Sequence, residues 1–296
     1  MLEELTKFFL MTNNSQLYLG CAVWSYPGWL GTFYPPKTKS GDFLNIYAGQ
    51  FNAVEGNTTF YAVPQPKTID RWVKATNSGF KFCPKLPKTI THNGLLKPQL
   101  NQAQSFLEIV SGLKDNLGTT FIQLPPAYSP QYLEDLSHFL AALPSQLSFA
   151  VEVRHPAWFQ DPHREQLNQL LEKLDMARVL LDTRPIYNCP DNPQALSKRK
   201  KPKLPLQVAT TNNLAFVRFI SHPDLTRNQS YLQNWSVQVR DWLSAGKTVY
   251  FFVHCPIEDH SPEIAKQFKD LLTQQGITVD QIAVNPVSIP SQLSLF

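Results

Sequence analysis

Glu152 and Arg154 stand two residues apart at the end of the apolar stretch S-F-A-V-E-V-R-H-P, residues 148–156. Phe149, Val151 and Val153 alternate with Ala150, Glu152 and Arg154, the period of a strand with two unlike faces. A carboxylate and a guanidinium on the inward face of a buried strand are costly unless each is satisfied, so the pair marks a site. The same alternation in the other strand patterns adds Trp24, Glu55, Asn57, Lys85, Gln123, Asp182, Arg184, Arg218 and His254 as inward residues at strand ends. Cations exceed carboxylates in that set, so the expected ligand is an anion, a phosphate or a carboxylate. Lys85, Arg154, Arg184 and Arg218 are expected to hold it, Glu55 and Asn57 to position it, and Trp24 and Gln123 to complete the substrate contacts. Glu152 is the expected general acid or base, with Asp182 and His254 as helpers. The competing reading is a satisfied network of structural ion pairs.

A divalent metal held by Glu152, Asp182 and His254, with His92, His155 or His222 from loops, is the alternative chemistry. No H-x-H or H-E-x-x-H spacing occurs, and Arg154 and Arg184 would repel a bound cation, so no metal and no other cofactor is expected. A nucleophilic cysteine is weaker still, because Cys255 is a lone thiol at a strand edge.

The elements that must bring these residues together read as eight strands mostly separated by helices. The strands lie at about 17–24, 53–60, 80–86, 119–124, 149–154, 178–183, 215–220 and 248–255. In a chain of 296 residues this alternation predicts a single α/β domain folded as a (β/α)8 TIM barrel, spanning 17–285. An open doubly wound sheet is the runner-up, but no Gly-rich nucleotide turn follows the first strand. Residues 1–16 read as an N-terminal extension and 286–296 as a flexible C-terminal tail.

The totals restrict the function classes. Hydrophobic residues make up 43% of the chain, enough for a large core, and the formal net charge is only +4. No apolar run is long enough to span a membrane, and the first residues lack the basic start and cleavage region of a signal peptide. The four cysteines show no C-x-x-C pair, so reduced thiols in a cytoplasmic protein are expected. Trp24, Tyr26, Trp29, Phe33 and Tyr34 crowd one loop and can either roof a core or stack a sugar or base. The run S-K-R-K-K-P-K places Lys198, Arg199, Lys200, Lys201 and Lys203 in the loop after the sixth strand, where they are expected to meet a nucleic-acid backbone.

Eight ordered motifs resemble the YecE-like bacterial family, a domain of unknown function. They are W-S-Y-P-G-W (24–29), V-E-G-N-T-T-F-Y (54–61), F-K-F-C-P-K-L-P (80–87), Q-L-P-P (123–126), V-E-V-R-H-P-A-W-F (151–159), L-D-T-R-P (181–185), R-K-K-P-K (199–203) and F-F-V-H-C-P (251–256). The resemblance covers nearly everything after residue 16 and implies a TIM barrel of unassigned activity. The final pentapeptide, Gln292, Leu293, Ser294, Leu295 and Phe296, resembles the motif by which bacterial proteins dock on the DNA polymerase sliding clamp. A tail offering three apolar anchors and one amide suits a hydrophobic groove.

Together these readings predict a hydrolase or isomerase acting on a phosphate-bearing substrate, with DNA, RNA or a nucleotide preferred. Its rivals are a sugar or sugar-phosphate enzyme with a small substrate, and a non-catalytic nucleic-acid-binding adaptor.

Overall fold

A computed structural model describes residues 16–195, 197 and 200–278. The strands are β1 (Leu17–Cys21), β2 (Ala53–Gly56), β3 (Lys81–Pro84), β4 (Thr120–Gln123), β5 (Phe149–Glu152), β6 (Ala177–Asp182), β7 (Leu214–Ile220) and β8 (Thr248–His254). Between them run α1 (Phe43–Ala48), α2 (Thr58–Tyr61), α3 (Pro66–Lys74), α4 (Lys88–Thr91), α5 (Leu100–Ser111), α6 (Leu133–Ala141), α7 (His163–Lys173), α8 (Arg184–Tyr187), α9 (Gln229–Ser244) and α10 (Ser261–Gln274). Their spacing follows from periodicity: in α5, Ala103, Phe106, Leu107 and Val110 recur on one face and are the residues it buries.

The expected closed (β/α)8 TIM barrel is not what forms. The hydrogen-bonded ladder is an open, curled sheet of six parallel strands in the order β1-β8-β7-β6-β5-β4, and β2 and β3 make a separate parallel pair. Side chains explain one seam. Asn52 accepts a hydrogen bond from the Leu19 N–H and donates to the Leu17 carbonyl, each at 2.8 Å. The Tyr47 hydroxyl accepts from the Cys21 N–H at 2.6 Å and donates to the Ala53 carbonyl at 3.0 Å. Backbone groups that a ladder would join are thus satisfied by side chains instead. Gly20 permits the close approach, since a Cβ there would lie 1.9 Å from the Ala53 carbonyl oxygen. Between β3 and β4 only isolated bridges form, at Phe82–Leu117 and Lys85–Phe121.

The sheet separates two apolar layers. Outside, residues such as Val151, Val217 and Phe251 pack under the helices, with Phe251 stacked on Phe268 of α10 at 4.1 Å. Inside the curl, Tyr18, Phe121, Phe216, Tyr250 and Phe252 form an aromatic floor. Two residues further toward the C-terminal strand ends on the same inward faces come Glu55, Lys85, Gln123, Glu152, Arg218 and His254, all buried. No described helix is long and apolar enough to cross a membrane.

Candidate functional site

Arg218 is the hub of the inward polar cluster. It follows Phe216 by one pleat, so the alternation that aims Phe216 at the aromatic floor aims Arg218 into the polar layer above it. Its Nε and Nη2 donate to the two carboxylate oxygens of Glu55, both at 2.7 Å, and its Nη1 donates to Glu152. Arg154 donates through Nε to the other oxygen of Glu152 and through Nη2 to the Gln123 carbonyl, each at 2.6 Å. Lys85 Nζ donates to that same Gln123 oxygen at 2.7 Å and lies over the Phe60 ring, 3.9 Å from its centroid. Asn57 donates to Glu55 at 2.7 Å and to the Ala22 carbonyl at 3.1 Å.

Glu55 also accepts from His254 Nε2 at 2.9 Å. With that ring nitrogen donating, Nδ1 is left as an acceptor, and Lys201 Nζ stands 3.4 Å from it. Lys201 belongs to the basic run, and its backbone is held in place by Gln194 and the Tyr187 hydroxyl. A chain Glu55–His254–Lys201 therefore links the buried cluster to the loop above it.

Burial and neighbouring charge set the protonation of these groups. Burial would raise Glu55 and Glu152, but Arg218 overrides it, aided by His254 at Glu55 and by Arg154 at Glu152. Glu55 is held well below the carboxylate range and Glu152 at about 2. Burial lowers the ammonium of Lys85 to about 6 and that of Lys201 to about 7, with Arg218 adding to both. His254 falls to about 3, chiefly through burial, and so is neutral. The site holds two ionised carboxylates, two guanidiniums and two amines poised to gain or lose a proton near neutral pH.

The chain matches, over residues 18–288, the family described as "Protein of unknown function DUF72". It is 36% identical over 283 residues to the UPF0759 protein YecE of Escherichia coli K12, covering 95% of this chain and 100% of that one. The UPF0759 protein YunF of Bacillus subtilis is 29% identical over 51% of this chain and 55% of its own length. This protein belongs to the DUF72 family. A solved DUF72 structure from Enterococcus faecalis V583 superposes with a TM-score of 0.67 at 21% identity, covering 88% of this chain and 98% of that one. One from Thermotoga maritima MSB8 gives 0.66 at 22% identity, over 87% and 99%.

Three expected site residues of this DUF72 chain lie elsewhere. Leu181 shares the inward register of Arg218, which turns Asp182 outward beside Phe219. There Asp182 accepts from Trp235 of α9 at 2.8 Å and is clamped by Arg184 at 2.9 and 2.8 Å. Arg178 faces the same layer, donating to Asn168 of α7, so the polar residues of β6 serve the helices rather than the cluster. Trp24 also packs outward, 5.1 Å from Trp72 and 5.9 Å from Phe82. Of the aromatic loop, Trp29 and Tyr34 are fully buried and roof the core.

The basic run divides. Lys201 reaches the cluster, Lys200 is exposed, Lys203 stands 5.7 Å from the Tyr187 ring centroid, and Lys198 and Arg199 lie outside the described residues. Residues 292–296 lie outside them too. Among the described residues Cys189, Asp191 and His222 are close enough to share an ion. However, His222 Nδ1 accepts the Asp224 N–H at 2.9 Å, so a neutral ring carries its proton on Nε2, facing Asp191, and offers no lone pair there. That donor set does not suit a metal.

Sequence reasoning placed Lys201 on the rim and missed its contact with His254. The one signal was its position in a loop that begins at the mouth of the curled sheet.

Proposed function

We propose that this DUF72 protein is a cytosolic enzyme that binds a phosphate-bearing substrate at the inward cluster, with nucleic acid or a nucleotide as the preferred class. One observation carries the reading: among the described residues neither Lys85 nor Lys201 has a carboxylate at ion-pair distance, and Glu258, a further buried carboxyl that feels Lys201, is pushed up by burial to about 8 and is neutral at pH 7. Arg154 and Arg218 are matched by Glu152 and Glu55, leaving two amines that carry excess positive charge once protonated. A phosphate monoester carries the charge that would balance them.

The division of labour differs from the one the sequence suggests. Glu152, paired with two guanidiniums and ionised far below neutrality, suits the role of anchoring Arg154 and Arg218 rather than moving protons. Lys201 is the better proton carrier, titrating near 7 and oriented by His254 and Glu55. Hydrolysis or isomerisation with Lys201 as general acid or base is the reaction class this arrangement supports. The exposed Lys200 and the neighbouring basic residues favour a polymeric phosphate backbone over a small sugar phosphate. The C-terminal pentapeptide would tether the enzyme to a sliding clamp.

Titration calorimetry with inorganic phosphate and with a short single-stranded oligonucleotide tests the reading. Affinity for both should weaken as salt rises. It should also fall as pH is raised from 6 to 9, because each lysine binds an anion only while protonated and its site pKa lies near 6 or 7. Binding at neutral pH should take up protons. Lys201→Met and Lys85→Met should each cost about 10- to 100-fold, the worth of a hydrogen bond to a charged group. Unchanged affinity in both variants would sink the proposal.

A further inference from the structure

Beside the cluster lies a cavity of about 600 Å³ whose walls include Phe60, Tyr61, Val63, Pro87, His92 and Asn93. A second hollow of about 340 Å³ along α5 shares Val63 and Pro87 with it. The connection to the anion site is direct. Phe60 lines the cavity, carries the Lys85 ammonium 3.9 Å from its ring centroid and meets His92 at 5.1 Å and 78°, so one ring touches both the charged cluster and the cavity.

The lining is unusual for an outer surface. Tyr61 is 55% exposed and Val63 44% exposed, both large apolar groups left facing solvent at the same hollow. The Tyr61 ring is held at 87° to Phe60, 5.1 Å between centroids, which fixes its plane. The polar lining comprises His92 and Asn93 together with the exposed Lys88 and Thr89. His92 receives or gives a hydrogen bond at Thr91 Oγ1, 2.8 Å away, and Asn93 is its neighbour. Burial, together with Lys85 and Arg154, holds His92 at about 4, so it presents a neutral, hydrogen-bonding edge rather than a charge.

We propose that this cavity is the subsite for the aromatic base of a nucleotide, stacked on Tyr61 with its polar edge toward His92 and Asn93, while its phosphate occupies the adjoining cluster at Lys85. The inference rests on the anion-binding reading above and names the substrate class more closely. A flat heterocycle suits this lining: an exposed ring to stack on, aliphatic walls at Val63 and Pro87, and hydrogen-bonding groups at His92, Asn93 and Thr89, with the Lys88 ammonium left to meet the sugar-phosphate side. An acyl chain would leave His92 and Asn93 without a role. A bare phosphate or a small sugar phosphate would leave the cavity largely unfilled.

The test compares four probes on the full chain by titration calorimetry: inorganic phosphate, ribose 5-phosphate, adenosine 5′-monophosphate and adenosine. The nucleotide should bind about tenfold or more tightly than ribose 5-phosphate, the worth of one stacked base. Tyr61→Ala should bring the nucleotide down to the level of ribose 5-phosphate while phosphate and ribose 5-phosphate bind as before. Tyr61→Phe, which keeps the ring, should restore the difference. Equal affinity for nucleotide and ribose 5-phosphate overturns the base subsite and leaves the anion site standing, as does a Tyr61→Ala variant that retains the full difference. If neither phosphate nor ribose 5-phosphate binds, the anion reading fails. Adenosine binding that depends on Tyr61 would then support the subsite alone, and binding of none of the four overturns both.

Discussion

Replacing Arg218 with Met would leave Glu55 and Glu152 buried with their principal counter-charge gone. Two carboxylates that are fully ionised in the native protein would then have to protonate or draw in water. The expected loss is about 3–5 kcal/mol of unfolding free energy at pH 8, measured by urea denaturation. The pH dependence has a definite sign. Both carboxylates titrate below their unfolded value of about 4.3, so their contribution is complete above that pH. It is lost as pH falls toward about 2, where Glu152 titrates. In Arg218→Met the carboxylates should protonate more readily, so the gap to the native protein should narrow between pH 8 and pH 5. A variant as stable as the parent at pH 8 would show that the pairs merely offset their own desolvation.

The seam between β1 and β2 makes its own prediction. Asn52 stands in for a stretch of ladder by serving Leu19 and Leu17 at once, and it is only 5% exposed. Asn52→Ala would strand a buried N–H and a buried carbonyl, at about 1–3 kcal/mol for each group left unpaired. Because β2 carries Glu55, loosening this seam should also disturb the carboxylate that orients His254 and Arg218. Hydrogen exchange should show faster exchange at Leu19, with the β7–β8 ladder protected as before. Exchange that quickens uniformly across the sheet would mean the seam has no separate stability. The sequence exposed this region as two strand patterns. It gave no sign that Tyr47 and Asn52 would replace backbone pairing, because nothing in a strand's period distinguishes a ladder from a side-chain bridge.

For the whole molecule, the question is whether the chemistry is local or delivered to a larger assembly. Deleting residues 292–296 should leave the thermal midpoint and phosphate affinity of the remaining chain unchanged. It should abolish binding to a purified bacterial sliding clamp, read by surface plasmon resonance. Clamp affinity that survives the deletion would end the proposed docking.

Strand periodicity in the sequence determined eight strands, the helices between them, and the inward aim of Glu55, Lys85, Gln123, Glu152, Arg218 and His254. Each of those follows an apolar neighbour by one pleat, and a pleat has only two faces. The same rule misread β6, where Val179 and Leu181 face inward and Arg178 and Asp182 serve the helix layer. Which face of an evenly apolar strand points inward depends on its register with β5 and β7, which is a property of the assembled sheet. Lys201 was settled in the same way, since a loop residue has no period to read and its place beside His254 exists only once the chain has folded over the mouth of the sheet. Whether eight strands close into one ladder was likewise decided in three dimensions, at the β1–β2 seam that Asn52 and Tyr47 occupy and at the β3–β4 seam that only isolated bridges cross.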